Sequence, residues 1–305
     1  MADTKFTGLT AITNPAGNDI MPIVDDVTGT PVSRKIKVGD LLNGGYTTTA
    51  TAAGTTTLTD ASTGIQFFTG TSTQFVILPA ANTLSVGRTF FIHNNSTGIV
   101  TVDTNGGAQL AILDADVNIK VTVTDVSTTT GVWDIELSNQ VLKNSNTGVI
   151  SSTHATDTYL PGSYIKFPFA PKAKTVYKLL FDVAKTNAGT ATPIITLRTG
   201  TAGTTADTAR CTFTFGAGTT AADTGVFEVI AAFRSVGSGT SAVIRGVTRL
   251  TSNLTTTGLS NAVKVVGNTS GGFDSTTENL GIGVSYNGGA SAVHTVTLVQ
   301  AELVM

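Results

Sequence analysis

Short runs in which apolar and polar residues alternate restrict the fold of this chain more than any other feature. The clearest run holds Val117, Ile119, Val121 and Val123, with polar residues between them. Such a period of two is typical of a β-strand with one buried face. Threonine, whose branched Cβ favours strands over helices, contributes 58 of the 305 residues. We therefore predict an all-β fold.

Charge and turn residues divide the chain into three parts. The formal charge is -1 over residues 1–45, -5 over residues 46–140 and +4 over residues 141–305, which together give the net charge of -2. Residues 138–158 are polar and are interpreted as a linker. From residue 159 onward, about nine alternating runs separated by Gly, Asn and Ser predict an antiparallel sandwich. The predicted parts are an N-terminal segment (1–45), a small β spacer domain (46–140) and a C-terminal jelly-roll-like β-sandwich (151–305).

The first 45 residues are too few to bury a core of their own. Residues 19–25 and 32–38 bracket a Thr-Gly-Thr-Pro turn and predict a hairpin, after which Asp40 is placed to cap a short helical turn. An isolated hairpin is marginally stable in water. We therefore expect this segment to pack against another copy or a partner.

Six short sequences follow one another in the middle of the chain and carry a resemblance. They are Thr-Thr-Thr-Leu-Thr (55–59), Phe-Phe-Thr-Gly-Thr (67–71), Leu-Pro-Ala-Ala (78–81), Val-Gly-Arg-Thr-Phe-Phe-Ile-His-Asn-Asn-Ser (86–96), Val-Thr-Val (100–102) and Gly-Val-Trp-Asp (131–134). In this order they resemble a module of phage tail-fibre and other virion appendage proteins. The Ile-Met-Pro-Ile-Val, Lys-Ile-Lys-Val and Asp-Leu-Leu sequences of the N-terminal segment resemble a tail-fibre attachment segment, and an ordinary surface hairpin is the alternative.

The resemblance implies a virion structural protein. A tail fibre or adhesin would attach to other virion proteins through residues 1–45, assemble as a homotrimer with parallel chains, and present the sandwich to a glycan or protein of the host surface. A capsid (head) fibre or decoration protein needs the same parts and is the alternative. The start of the chain lacks the features of a signal peptide, and no apolar run approaches the ~18 residues of a membrane helix. We expect a protein made in the host cytoplasm and incorporated in the virion, without membrane insertion.

An enzyme is the third alternative, in the form of a tail-associated polysaccharide depolymerase. Such an enzyme needs a groove with at least two carboxylates. Residues 141–305 contain eight acidic residues, and these are scattered. Lys172, Lys174 and Lys178 are the nearest approach to a basic cluster, and they lack the aromatic or helical context of a nucleic-acid site. We expect no catalytic, cofactor or metal site, no nucleic acid as a partner, and folding that needs no metal.

The histidines and the single cysteine favour structural roles. His93, His154 and His294 lie in different regions, and none is three to five residues from another metal-ligand residue. Cys211 alternates with phenylalanines, which predicts a buried thiol and excludes an internal disulfide.

Asp114 and Asp116 are the best candidate for a cation site. With Asn118 they match the first oxygen positions of a calcium loop, but Ile119 stands where that loop needs glycine and Asp125 where it needs glutamate. The alternating run that follows favours a turn leading into a strand.

The remaining motifs predict turns and loops. Gly281 and Gly283 lack the following helix of a phosphate-binding loop, and residues 287–289 (Asn-Gly-Gly) are a hairpin turn signal. Ser163 and Ser235 lack the context of a catalytic nucleophile. The two loops expected to contact a receptor are residues 251–260 and 267–279, in which Phe273 is the single aromatic residue.

Overall fold

The computed structural model describes the strands of residues 20–25 and 32–37, and residues 45–305 except 139–140, 151–152, 187–188, 263 and 291–292. This part of the chain forms 22 β-strands, one turn of 3-10 helix at Ala81–Thr83 and no α-helix. The prediction of an all-β fold is therefore confirmed.

Two strands precede the larger sheets. Strand β1 (Ile20–Asp25) pairs antiparallel with β2 (Val32–Lys37), from Ile20 opposite Lys37 to Asp25 opposite Val32. They form a two-stranded sheet that includes no other described strand. The turn predicted between them and the cap predicted at Asp40 lie outside the described residues.

The middle of the chain is a short solenoid of two sheets. Its strands are β3 (Tyr46–Ala50), β4 (Thr55–Thr57), β5 (Ile65–Gly70), β6 (Gln74–Ile77), β7 (Thr89–Ser96), β8 (Val100–Asp103), β9 (Gln109–Leu113), β10 (Asn118–Asp125) and β11 (Val132–Leu137). From β3 to β8 the chain changes sheet after every strand, so that β3, β5 and β7 pair in parallel in one sheet and β4, β6 and β8 in the other. Antiparallel strands β9, β10 and β11 then complete the two sheets.

Alternation places one face of each solenoid strand in a common core. Phe68, Phe90, Ile92, Val102 and Val121 are fully buried there. Buried amide side chains stabilise the turns between the two sheets of the solenoid. They bond backbone groups that the sheets leave unpaired. The Gln74 Oε1 atom accepts hydrogen bonds from the amides of Ala52 (3.1 Å) and Gly54 (3.4 Å), and the Asn94 Nδ2 atom donates to the carbonyls of Gly98 and Leu113, both at 2.8 Å.

The C-terminal part is a sandwich of two antiparallel sheets. Its strands are β12 (Val141–Asn146), β13 (Thr158–Tyr159), β14 (Ile165–Lys166), β15 (Val176–Lys185), β16 (Ile194–Gly200), β17 (Thr208–Thr214), β18 (Asp223–Ser235), β19 (Val243–Ser252), β20 (Val265–Thr269), β21 (Gly281–Asn287) and β22 (His294–Val304). The six-stranded sheet has the order β12-β22-β15-β18-β19-β20. The second sheet has the order β13-β21-β16-β17, with β14 also paired to β21.

The chain passes repeatedly from one sheet to the other, and the first strand β12 pairs with the last strand β22, which gives a jelly-roll-like arrangement. Aromatic rings from both sheets fill the space between them. The Phe227 ring lies 5.2 Å from that of Phe181 and 5.1 Å from that of Phe215, and the Tyr286 ring lies 5.5 Å from that of Phe181. This core holds the two sheets together by burial of apolar surface.

The interpretation of residues 138–158 as a linker is wrong for much of that segment. Strand β12 pairs along its whole length with β22, from Val141 opposite Val304 to Asn146 opposite Val299, and His154 is fully buried. As an edge strand, β12 is held mainly by backbone hydrogen bonds. It therefore needs few apolar residues, and the sequence gives little sign of it.

Removing β12 is expected to weaken the sandwich. A fragment of residues 151–305 should unfold at a temperature about 4–8 °C below that of a fragment of residues 141–305, which corresponds to a loss of ~2 kcal/mol in a domain of this size. The reason is that the edge of β22 is uncovered and Leu142 no longer packs on the core. Thermal unfolding of the two fragments followed by circular dichroism measures the difference. Equal midpoints would show that β12 is dispensable.

Candidate functional site

The direction of the strands places the sandwich loops at two ends. Gly200 pairs with Gly281, so the loops that follow β16 and precede β21 lie at the same end. One end, which we call the proximal end, contacts the solenoid. It carries residues 167–175, 201–207, 236–242 and 270–280. The opposite, distal end carries residues 153–157, 189–193, 215–222, 253–262 and 288–290.

The proximal end is packed against the solenoid. The Ile112 amide donates a 2.6 Å hydrogen bond to the Pro168 carbonyl, and Phe169 belongs to the solenoid core. The Lys172 ammonium donates to the Ile135 carbonyl at 2.6 Å and lies 3.5 Å from the Asp134 carboxylate. Two clefts, of about 280 and 630 Å³, lie along this junction.

The structure separates the two loops predicted to contact a receptor. In the first, residues 253–260 lie at the distal end, and residues 251–252 belong to β19. In the second, residues 267–269 belong to β20, and residues 276–280 line the 280 Å³ cleft beside the solenoid. Phe273 is only 3% exposed, and the Arg210 guanidinium lies 4.2 Å from the centre of its ring. The single aromatic ring of these two loops is therefore part of the core.

The distal loops are joined by a buried carboxylate. Asp223, at the start of β18, is 6% exposed. Its Oδ1 atom accepts a hydrogen bond from the Leu254 amide (3.2 Å), and its Oδ2 atom accepts one from the Leu259 amide (3.0 Å). Gly258 lies against the same carboxylate with a φ of +80°, where a Cβ atom would overlap Asp223. Residues 253–260 are thus held in one conformation.

Two lysines surround this carboxylate. The Lys185 ammonium donates to the carbonyls of Thr219 and Ala221, and the Lys264 ammonium donates to the Ser252 hydroxyl (2.9 Å) and the Ser260 carbonyl (3.0 Å). Burial lowers the pKa of both ammonium groups, and the Asp223 carboxylate acts in the opposite direction. The two ammonium groups and the carboxylate therefore hold the distal loops in place through these hydrogen bonds.

A second buried cluster lies beside the first. The Tyr286 hydroxyl lies 2.8 Å from His294 Nδ1, and the His154 ring lies 5.4 Å from the Tyr286 ring. His294 is 2% exposed, and its Nε2 atom has no hydrogen-bond partner among the described residues. Burial lowers the pKa of His294 to about 4, with smaller effects of the Lys185 ammonium and of His154, and it also lowers the pKa of His154. Both rings are neutral near pH 7.

The sequence did not indicate that His154 and His294 meet, because they are far apart along the chain. His93 lies elsewhere, on the solenoid, with its ring 4.7 Å from that of Phe67. Cys211 is 1% exposed, and burial raises the pKa of its thiol to about 11, so the prediction of a buried thiol is confirmed.

The candidate calcium loop is a turn followed by a strand, as predicted. The Val117 amide bonds the Asp114 carbonyl at 3.1 Å, and Asp116 has a φ of 63°. Asp125 lies at the far end of strand β10, where its Oδ1 atom accepts a hydrogen bond from the Ser127 amide. Among the described residues, no group of three or more His, Cys, Asp or Glu could hold a metal ion.

The glycines of β21 make room for aromatic rings. A Cβ atom at Gly281 would overlap the Tyr164 ring, and one at Gly283 would overlap the Tyr159 hydroxyl. Ser163, between the two tyrosines, bonds the Val284 backbone through its hydroxyl, which donates to the carbonyl at 3.2 Å and accepts from the amide at 3.1 Å. Residues 159–164 thus cover the outer side of β21.

Gly283→Ala is expected to lower the free energy of unfolding by about 1–3 kcal/mol, because the added methyl group must displace Tyr159. Gly271→Ala is the matched control, since a Cβ atom there meets nothing within 4 Å. Urea unfolding of both variants measures the difference. Equal stability of the two would contradict the packing role of Gly283.

No protein-family model matches the chain, and no curated protein matches it significantly. In the part of the chain that the structure describes, no helix is long and apolar enough to span a membrane.

Proposed function

We propose that this protein is a phage tail fibre or adhesin that attaches to the virion through residues 1–45 and presents the distal end of its sandwich to the host surface. The observation that carries the proposal is the arrangement of the distal loops. They lie at the end of the sandwich away from the solenoid, and the buried Lys185 and Asp223, together with the half-buried Lys264, hold them in place. Loops fixed on a rigid scaffold are suited to recognition.

The solenoid and the sandwich are suited to a spacer and a tip. The contacts of Ile112, Phe169 and Lys172 join the two in series. In this proposal the protein is a homotrimer with parallel chains, and several weakly binding tips on one particle act together. The proposal includes no catalytic role and no cofactor.

The test applies the full-length protein, fluorescently labelled, to host cells. We expect it to bind the cells and to compete with phage adsorption. Thr256→Lys, on the distal end, should reduce binding, whereas Thr240→Lys, on the proximal end, should not. Both threonines are exposed, so they form a matched pair.

A folded protein that neither binds cells nor competes with phage would contradict host recognition. That result would favour the capsid fibre or decoration protein. Imaging of virions labelled on the sandwich distinguishes the two positions directly.

A further inference from the structure

The two sheets of the sandwich differ in what covers their outer faces. Residues 159–164 cover β21 of the second sheet, and all residues of β21 except the last are buried. No described strand packs on the outer side of the six-stranded sheet. We call that outer side the open face.

The centre of the open face is aliphatic. Ile230 on β18 lies between Lys178 on β15 and Val247 on β19. Half-buried or exposed apolar side chains around it form a patch that Lys178 and Glu228 interrupt, and Leu180 is 36% exposed. Its members are Val176, Leu180, Val226, Ile230, Ala232 and Val247. A solvated face of an antiparallel sheet is normally polar, so a patch of this kind indicates a contact surface.

Charged groups of both signs lie within the patch and around it. They are Lys178, Asp182, Glu228, Arg245, Arg249 and Glu302. Within the described part of the chain, the side chains of Lys178, Glu228 and Arg249 form no ion pair or hydrogen bond, although Glu228 and Arg249 are in register on neighbouring strands. Protein interfaces combine apolar contacts with polar and charged contacts between the partners. In a trimer whose open faces meet around a three-fold axis, each face would offer both signs of charge to the faces of the neighbouring chains.

The size of the open face fits a stable contact. Six strands about 4.8 Å apart, several of them about ten residues long, present roughly 800 Å². Stable interfaces bury about 800 Å² on each partner. The separate two-stranded sheet of β1 and β2 gives independent support, because two strands alone are marginally stable and several copies of the segment could stabilise one another.

We propose that a second copy of this chain packs on the open face, with Ile230 at the centre of the contact. The inference rests on the homo-oligomer of the proposed function and names the surface that forms it. Host binding is not part of the inference.

The first test replaces Ile230 by aspartate. Light scattering of the wild-type protein should give a multiple of the 31.2 kDa chain mass, and Ile230→Asp should lower that mass toward a single chain. Val132→Asp is the control, because Val132 is 55% exposed on the solenoid and should leave the mass unchanged. Circular dichroism checks that each variant is folded.

The second test does not depend on a disruptive substitution. Since Cys211 is buried, Leu180→Cys introduces the one accessible thiol of the described residues. Diamide, a thiol oxidant, removes one hydrogen from each of two such thiols and should join two chains by a disulfide, seen as a dimer on a non-reducing gel. Val86→Cys, at a 64% exposed position on the solenoid, should give much less dimer at the same concentration.

A wild-type protein with the mass of one chain would overturn the inference. An unchanged mass for folded Ile230→Asp, or equal cross-linking of the two cysteine variants, would also overturn it. Cell binding is measured separately, so a protein that assembles through the open face but does not bind cells contradicts only the proposed function.

Discussion

Replacing Asp223 by alanine is expected to lower the free energy of unfolding by about 2–4 kcal/mol, because a buried polar group left without its hydrogen-bond partner costs about 1–3 kcal/mol. The carboxylate accepts hydrogen bonds from the amides of Leu254 and Leu259. Burial lowers the pKa of the Lys185 and Lys264 ammonium groups, and the negative charge of Asp223 opposes this lowering. Without it, two buried amides lose their acceptor and two lysines lose their nearby negative charge.

Urea unfolding at pH 7 measures this loss. Asp223→Asn should be intermediate, because its amide oxygen can accept one of the two hydrogen bonds but carries no charge. Asp60→Ala is the control, since Asp60 is exposed and bonds only the next amide, that of Ala61. A loss for Asp223→Ala no greater than that for Asp60→Ala would contradict its role in holding the distal loops.

The alternation of apolar and polar residues predicted where strands occur, but it did not predict which strands pair with each other. The alternating run from Val117 to Val123 indicates which side chains face a core, and these side chains are buried. The parallel pairing of β3, β5 and β7 was not predicted, because a period of two does not state which strand lies alongside. The coils also begin at unequal spacings, at Tyr46, Ile65 and Thr89, so no fixed repeat marks the solenoid.

Two sandwich strands escaped prediction for different reasons. Strand β12 contains only Val141 and Leu142 as apolar residues and is held at the edge of its sheet. Strand β16 is an almost continuous buried segment, Ile-Ile-Thr-Leu-Arg-Thr-Gly, without a clear alternation. Its Arg198 bonds the Ser285 hydroxyl at 2.8 Å and forms a salt bridge with Asp157. A buried ion pair between distant segments leaves no local pattern.

The candidate site was the least predictable part for the same reason. Lys185, Asp223 and Lys264 each resemble an ordinary surface charge in the sequence, and only the return of three strands to the distal end places them together. The sequence correctly indicated that residues 253–260 form a loop. It could not show that a buried carboxylate fixes this loop.

The free energy of unfolding is expected to fall as the pH falls from about 6.5 to about 4, because two histidines are buried in neutral form. The folded pKa of His294 is about 4, below its ordinary value of 6.5, and that of His154 is also lowered. The unfolded chain therefore binds more protons in this range, and stability decreases on acidification. The groups facing His294 are the Tyr286 hydroxyl, the Lys185 ammonium and His154, and none supplies a negative charge to a protonated ring.

The size of this effect follows from the shift of His294. A lowering of the pKa from 6.5 to about 4 corresponds to about 3 kcal/mol once both states are protonated. Hydrogen bonds lower the pKa of Asp125 and Asp274 below 3.8, so those carboxylates affect stability mainly at more acidic pH. Burial, with a smaller effect of Glu278, raises the pKa of the Asp103 carboxyl, so its protonation favours the folded state and opposes the histidine effect in part of this range. Substitution of a histidine is therefore needed to isolate the histidine contribution.

Urea unfolding of the wild-type protein and of His294→Gln at several pH values between 4 and 7 measures how the free energy of unfolding depends on pH. The glutamine side chain can still bond the Tyr286 hydroxyl but does not titrate, so the slope of stability against pH should become shallower. His93→Gln is the control, because His93 lies outside the buried cluster and burial lowers its pKa without a neighbouring charge. A slope unchanged in His294→Gln, or reduced more in His93→Gln, would show that the acid sensitivity arises elsewhere.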